Sequence, residues 1–223
     1  MRRFLIVISS LAALFILALC LEFYPPKPVV GIDLSHNNEL TESDWQYFGK
    51  EAEFVYLKAS EGGTYQDPMR RKLHDKALEQ GLHIGAYHFF RDNVDAGSQF
   101  DNYKDAVKDL PGISLIPCID YEKDGFRAGL RERVRNMKEL NSLFFEEYGL
   151  YPVIYCNILD YATIKGFCPR NPYWISIKSP SLGVGIMKQE QREVNGKIVD
   201  FNKLTALDAI KLKGKLNRTP END

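Results

Sequence analysis

Apolar residues in this chain gather in two kinds of stretch: short continuous runs, and longer segments in which they recur every three or four positions. Val29–Ser35, Glu53–Ser60, His83–Phe90, Ser114–Glu122, Tyr151–Asn157 and Tyr173–Lys178 are of the first kind. Their length, their β-branched and aromatic content and their turn-forming flanks predict strands. Segments of the second kind lie between them. Asp44–Phe48 behind Ser43, Met69–Gln80 ending at Gly81, Asp95–Leu110 ending at Pro111-Gly112, Leu130–Tyr148 ending at Gly149, and Leu159–Gly166 carry helical spacing and stop signals. In the longest, Leu130, Val134, Met137, Leu140, Leu143 and Phe144 form one apolar face. After Lys178 the alternation stops. Val184–Arg192 and Lys197–Phe201 flank Asn195-Gly196, a strong hairpin signal, and a last helix is expected over Lys203–Leu212 before a polar tail at 213–223.

Strands that are apolar on both faces and alternate with helices predict a parallel sheet covered on both sides. Acidic residues at several strand ends favour closure of that sheet, because a barrel points the carboxyl ends of all its strands at one mouth. An open doubly wound sheet would need a ligand crevice at a switch point, and no glycine fingerprint follows the first strand. The expected fold is therefore α/β, an irregular (β/α) barrel of mostly parallel strands with an antiparallel closing hairpin, in one domain over 29–212.

Ahead of that domain, Arg2 and Arg3 precede an uncharged apolar run, Phe4–Leu21, and a proline-rich linker at 25–28. Residues 1–24 read as a signal peptide or a membrane anchor, the run being longer than a usual signal core and just short of a spanning helix. Cys20, behind Leu17-Ala18-Leu19, resembles a bacterial lipoprotein box, although Leu19 is bulkier than the small residue that box carries. Each route exports the domain to a periplasmic or extracellular site and confines membrane association to this segment. The formal net charge of −1 with interspersed signs leaves no footprint for nucleic acid. Cys118, Cys156 and Cys168 lack metal-ligand spacing, so no metal or cofactor is expected; a disulfide between Cys156 and Cys168 is open in an oxidising compartment.

The candidate chemistry lies at the end of the fourth strand, where Asp120 and Glu122 are separated only by Tyr121. Residues two apart on a strand share a face, roughly 6 to 7 Å apart. Carboxylates that close do not both ionise freely, and the retained proton makes one a general acid beside a base or charge stabiliser. Solvated acids at a strand end are the plain alternative. Other strand ends supply Asp33, Lys58 and Glu61, Tyr87 and His88, Tyr155 and Trp174, and the hairpin supplies Gln189 and Asp200.

In these segments the chain resembles the family-25 glycoside hydrolases, lysozymes that cut between N-acetylmuramic acid and N-acetylglucosamine in peptidoglycan. The matching motifs are Gly31-Ile32-Asp33-Leu34-Ser35, Lys58-Ala59-Ser60-Glu61-Gly62, Gly85-Ala86-Tyr87-His88-Phe89, Ile119-Asp120-Tyr121-Glu122, Pro172-Tyr173-Trp174-Ile175 and Val199-Asp200-Phe201-Asn202. The resemblance implies a monomeric muramidase acting on glycan strands, with Glu122 as general acid and Asp120 orienting the 2-acetamido group or stabilising positive charge. It implies Asp33 and Asp200 as flanking acids. Tyr87, Tyr155, Trp174, Glu61 and Gln189 are then the substrate-binding set, while His88 reads as a core residue and Lys58 as an ion-pair partner.

The chain also departs from the family. Gln189 stands between Lys188 and Glu190 where the family usually has aromatic neighbours, and Lys178 stands where a tyrosine is common. A non-catalytic wall-binding module on the same fold is the alternative from another class. A family-18 pattern would need an aspartate two residues before Asp120, where Cys118 stands.

Overall fold

The computed structural model describes residues 28–176 and 187–204. The export segment with Cys20, the expected helix beyond Leu204, the polar tail, and Lys178 with the stretch up to 186 lie outside the described residues.

Strands β1 (Val29–Leu34), β2 (Phe54–Glu61), β3 (Tyr65–Gln66), β4 (His83–Phe89), β5 (Cys118–Asp120), β6 (Val153–Cys156), β7 (Tyr173–Ile175), β8 (Met187–Val194) and β9 (Lys197–Leu204) form one sheet. Its order is β1-β9-β8-β7-β6-β5-β4-β2-β3, and β1 also pairs with β2, so eight strands close into a barrel while β3 continues the edge of β2. Pairing is parallel from β1 through β2, β4, β5, β6 and β7 to β8, and antiparallel where β9 lies between β8 and β1. The expected irregular barrel with an antiparallel closing hairpin is the fold observed.

Helices α1 (Glu42–Glu51), α2 (Arg70–Glu79), α3 (Ala96–Val107), α4 (Leu130–Tyr148) and α5 (Ile158–Ile164) cover the outside. The start of α1 differs from the reading at Ser43. Thr41 is the cap, its hydroxyl accepting from Asp44 N while the Asp44 side chain reaches back to the Thr41 backbone, a reciprocal box that starts the helix earlier. α4 ends at Gly149 with φ 65°, a left-handed geometry that glycine adopts without strain. A second correction falls at the end of the described chain: Lys203 and Leu204 are not the start of a helix but the last residues of β9, opposite Val30 and Val29. Cys118, Cys156 and Cys168 are buried free thiols, so the Cys156–Cys168 disulfide does not form.

Alternation along the strands sorts the core into layers. Outward residues such as Ile32, Leu34, Val55, Leu57, Val199 and Phe201 pack with α1 and α2, and Ile119, Ile154 and Cys156 pack with the residues of α3, α4 and α5. Inward residues Phe54, Tyr56, Cys118, Val153, Trp174 and Met187 fill the barrel. Two glycines make room for them: a Cβ on Gly31 would sit 2.2 Å from the Phe54 ring, and one on Gly85 2.4 Å from the Tyr56 ring. Tyr56 satisfies its buried hydroxyl by donating to Ile116 O at 2.9 Å. The aromatic plug closes the barrel below, leaving the carboxyl ends of the parallel strands to carry the polar layer above it.

Candidate active site

The same alternation that buries Tyr56, Val153 and Met187 places the next inward positions at the mouth. These are Asp33 on β1, Lys58 on β2, Tyr87 on β4, Asp120 on β5, Tyr155 on β6, Gln189 on β8 and Asp200 on β9. Together with Trp174, Cys118 and Glu122 they line one cleft of about 290 Å³, to which Leu34, Ser35, Asn37, Asn38 and Phe89 contribute the remaining wall. All four predicted acids, the three predicted aromatics and Gln189 therefore meet in one space. Glu61 does not line it. It stands behind Lys58, accepting from Lys58 Nζ at 2.7 Å and from Arg91 Nε at 3.0 Å.

Register fixes the pairs. Asp33 and Asp200 are directly opposed across the antiparallel β1–β9 ladder, and Asp120 is opposed by Phe89 on one side and Tyr155 on the other. Like charges directly across a sheet repel, so the neighbourhood of Asp33 must compensate. Asn202 Nδ2 donates to Asp33 Oδ2 at 2.8 Å and Gln189 Nε2 at 3.2 Å, while Tyr155 Oη donates to Gln189 Oε1 at 2.8 Å. Even so, burial and then the charge of Asp200 push the Asp33 carboxyl up from 3.8 to about 7. Burial and then the charge of Glu122 push Asp120 well above the usual carboxylate range, with Lys58 pulling the other way. The cluster thus holds protons into the neutral range, as clustered buried carboxylates must.

Glu122 is placed differently from the strand-end reading. β5 stops at Asp120, and Glu122 opens a single 3-10 turn, Lys123–Gly125, with Gly125 N donating to Glu122 O at 2.9 Å. Pro117 ahead of the strand and this turn after it explain why the expected Ser114–Glu122 run pairs over only three residues. The turn is anchored from β4. Asp92, fully buried, accepts from Arg127 N at 2.5 Å, Ala128 N at 2.9 Å and Arg133 Nε at 3.0 Å, and its own N–H donates to Gly125 O at 3.2 Å. Arg91 bridges Glu61 and the carbonyl of Asp124. Burial works against ionising Glu61, but Lys58 and Arg91 hold its carboxyl below the ordinary value.

Asp120 Oδ1 and Trp174 Nε1 are among the buried polar atoms of the cleft that find no hydrogen-bond partner among the described residues. The Trp174 ring meets Tyr155 edge to face, centroids 5.0 Å apart, and Tyr56 at 5.4 Å. A buried acceptor and a buried donor left open in a polar cleft are the two groups a bound ligand would satisfy. His88 behaves as expected of a core residue: burial lowers it to about 4, and its ring nitrogens bond Ser60 Oγ at 2.8 Å and Gln99 Oε1 at 3.1 Å.

The sequence reading missed Asn202, Arg91 and Asp92. Asn202 lies two positions beyond Asp200 on the same face of β9, which alternation alone could have flagged. Arg91 and Asp92 lie past the end of β4, where no periodicity points to a partner.

A closed α/β barrel whose strand ends gather four carboxylates between aromatic walls is the architecture of carbohydrate-cleaving barrels as a class. The particular family follows from comparison: residues 32–178 match Glycosyl hydrolases family 25, and the chain belongs to that family. The muramidase from Trichobolus zukalii is similar in structure, with a TM-score of 0.68 and 25% identity over 83% of this chain and 99% of that one. Uncharacterized protein YegX of Escherichia coli strain K12 is 28% identical over 153 residues, 66% of this chain and 55% of that protein. The chain thus spans about half the length of that curated relative. The autolytic lysozyme of Clostridium acetobutylicum is 40% identical over 70 residues, 31% of this chain and 21% of that protein.

Proposed function

We propose that the domain is an exported muramidase, cleaving the β-1,4 bond between N-acetylmuramic acid and N-acetylglucosamine in peptidoglycan. The observation that carries this reading is the convergence of Asp33, Asp120, Glu122 and Asp200 on one aromatic-walled cleft. Family membership and the likeness to a muramidase and a lysozyme support the substrate.

In this reading Glu122 is the general acid. It stands at the lip of the cleft on an anchored turn, where its carboxyl can meet the glycosidic oxygen. Burial and then the charge of Glu122 raise Asp120, so the two carboxyls compete for a proton, and in this reading catalysis uses the one that Glu122 carries to the glycosidic oxygen. Asp120, deeper and with Oδ1 open, accepts the N–H of the 2-acetamido group and aims its carbonyl at the anomeric carbon. Positive charge developing on the sugar favours the anionic form of Asp120. Asp33 and Asp200 hold the attacking water or the proton balance of the pair. Tyr87, Tyr155, Trp174 and Gln189 bind the sugar, Trp174 Nε1 being a donor for a sugar oxygen, and Glu61 acts on substrate through Lys58.

The test is release of reducing ends from purified peptidoglycan by the full chain, with mass spectrometry of the products. Reducing muramic acid ends are expected, and Glu122→Gln lowers kcat by roughly 10²- to 10⁴-fold while leaving binding to the insoluble wall intact. Normal binding by the unaltered protein without release of ends at any pH from 4 to 8 would leave a wall-binding module.

A further inference from the structure

A second cavity lies beside the cleft. It has a volume of about 460 Å³ and lies between the starts of α1 and α2 and the tip of the β8–β9 hairpin, and Asn38 lines both spaces. The hairpin tip reaches this side because β9 runs antiparallel to β1: with Asp200 opposite Asp33, Lys197 falls beyond the last paired position, at the mouth end of the barrel and on the outward face that Val199 and Phe201 share. Asp44 holds it there, accepting from Asn195 Nδ2 at 2.6 Å and Lys197 Nζ at 2.7 Å. The bay therefore adjoins the cleft at Asn38 and has a fixed wall on the hairpin side.

Its lining contrasts with the cleft's. Among the described residues the cleft presents four carboxylates and a single lysine, Lys58. The bay presents Lys72, Lys76 and Lys197 against a single acid, Glu39, over a floor of Leu40, Trp45, Met69 and Leu73. Lys76 donates to Glu42 at 3.0 Å and Glu79 at 2.7 Å, outside the bay, so it is partly neutralised, as Lys197 is by Asp44. Lys72 is exposed and has no acidic partner among the described residues. His36, whose Nδ1 bonds Asp67 Oδ2 at 2.8 Å, completes the lining of the bay beside Asn38.

Electrostatics divides a mixed ligand between these surfaces. A carboxylate entering the cleft meets an acidic cluster that already resists further negative charge, whereas one in the bay meets ammonium groups, and the apolar floor takes small methyl side chains. We infer that the bay binds the carboxylate-bearing peptide substituent of the glycan whose sugars occupy the cleft, a short alanine-containing acidic peptide. This rests on the muramidase reading, and it makes peptide-substituted glycan the preferred form of that substrate.

Two measurements on the full chain test it, using Lys72→Glu, an exposed change outside the catalytic machinery. In the first, kcat/KM is compared for glycan strands with peptides intact and for the same strands stripped by an amidase. Intact strands are expected to be cut faster, and Lys72→Glu to erase roughly three- to tenfold of that preference without changing the rate on stripped strands, the range an exposed charge pair and its reversal allow. Equal rates on both substrates, or an unchanged preference in the variant, overturn the inference. In the second, calorimetry titrates the free tetrapeptide L-Ala-D-Glu-diaminopimelate-D-Ala into the protein, where a heat lost in Lys72→Glu is expected. Absence of binding at millimolar peptide overturns the inference whatever the rates show. Failure to cut either glycan alongside peptide binding overturns the glycosidase reading instead.

Discussion

Asp33→Asn separates what the cleft does for catalysis from what it does to stability. The Asp33 carboxyl is pushed from 3.8 to about 7 by burial and by Asp200. Below the lower value both the folded and unfolded chains carry the proton, and the site is neutral in its effect. Between the two the unfolded chain ionises while the folded one does not, so stability falls as pH rises. Above about 7 the loss is complete. Its full size follows from the gap, at about 1.4 kcal/mol for each pH unit, or about 4 kcal/mol at most. An asparagine keeps the favourable half of the present geometry, because its carbonyl still accepts from Asn202 Nδ2 and Gln189 Nε2. It carries no charge and no pH dependence. Urea unfolding of both proteins from pH 3.5 to 8.5 is the assay. The variant is expected to gain on the native chain steadily between pH 4 and 7 and to hold a constant lead above that, equivalent at full size to roughly 10 °C in Tm for a domain of this length. Release of reducing ends falls in the same variant. A stability difference that stays flat across the range, or one that shrinks as pH rises, refutes the reasoning.

Lys58→Met removes the one cation that lines the cleft among the described residues and with it the pull that lowers Asp120, so the acid limb of the pH–rate profile is expected to move to higher pH; an unmoved limb would detach Lys58 from Asp120. Gly125→Ala puts a Cβ 2.1 Å from the Phe90 carbonyl oxygen, an overlap that forces the Glu122 turn to shift. A loss of about 1 to 3 kcal/mol by thermal unfolding is expected, with a larger drop in kcat than in substrate binding.

The barrel was legible because two rules of period, two for strands and 3.6 for helices, agree along most of the chain. The acids were legible because each follows an apolar residue within an alternating run: Asp33 after Ile32 and Asp120 after Ile119 near strand ends, and Asp200 after Val199 inside β9. What escaped the reading are features set by partners distant in sequence. β3 is two residues long and exists only because it pairs with Ser60 and Glu61 where β1 has ended. β9 runs on through Lys203 and Leu204 because Val30 and Val29 lie opposite, although the segment itself has the composition of a helix start. The positioning of Glu122 escaped for the same reason. It depends on Asp92, whose carboxylate is bonded by residues 35, 36 and 41 positions further on, and nothing local in Arg91-Asp92-Asn93 announces that.

The antiparallel seam has one more consequence, for the order in which the molecule comes into being. β1 leaves the ribosome ahead of the other strands of this barrel, yet one of its two neighbours in the ring is β9, and Asn202 meets Asp33 across 169 positions of chain. The ring cannot shut until nearly all of that length has been synthesised, and contacts so far apart in sequence form slowly. Until then Asp33 lacks both Asp200 and the Asn202 amide, and the nascent chain holds only part of its acid set. A product that ends before β9 therefore lacks part of the polar layer at the mouth, and the full acid set comes together only as the barrel closes.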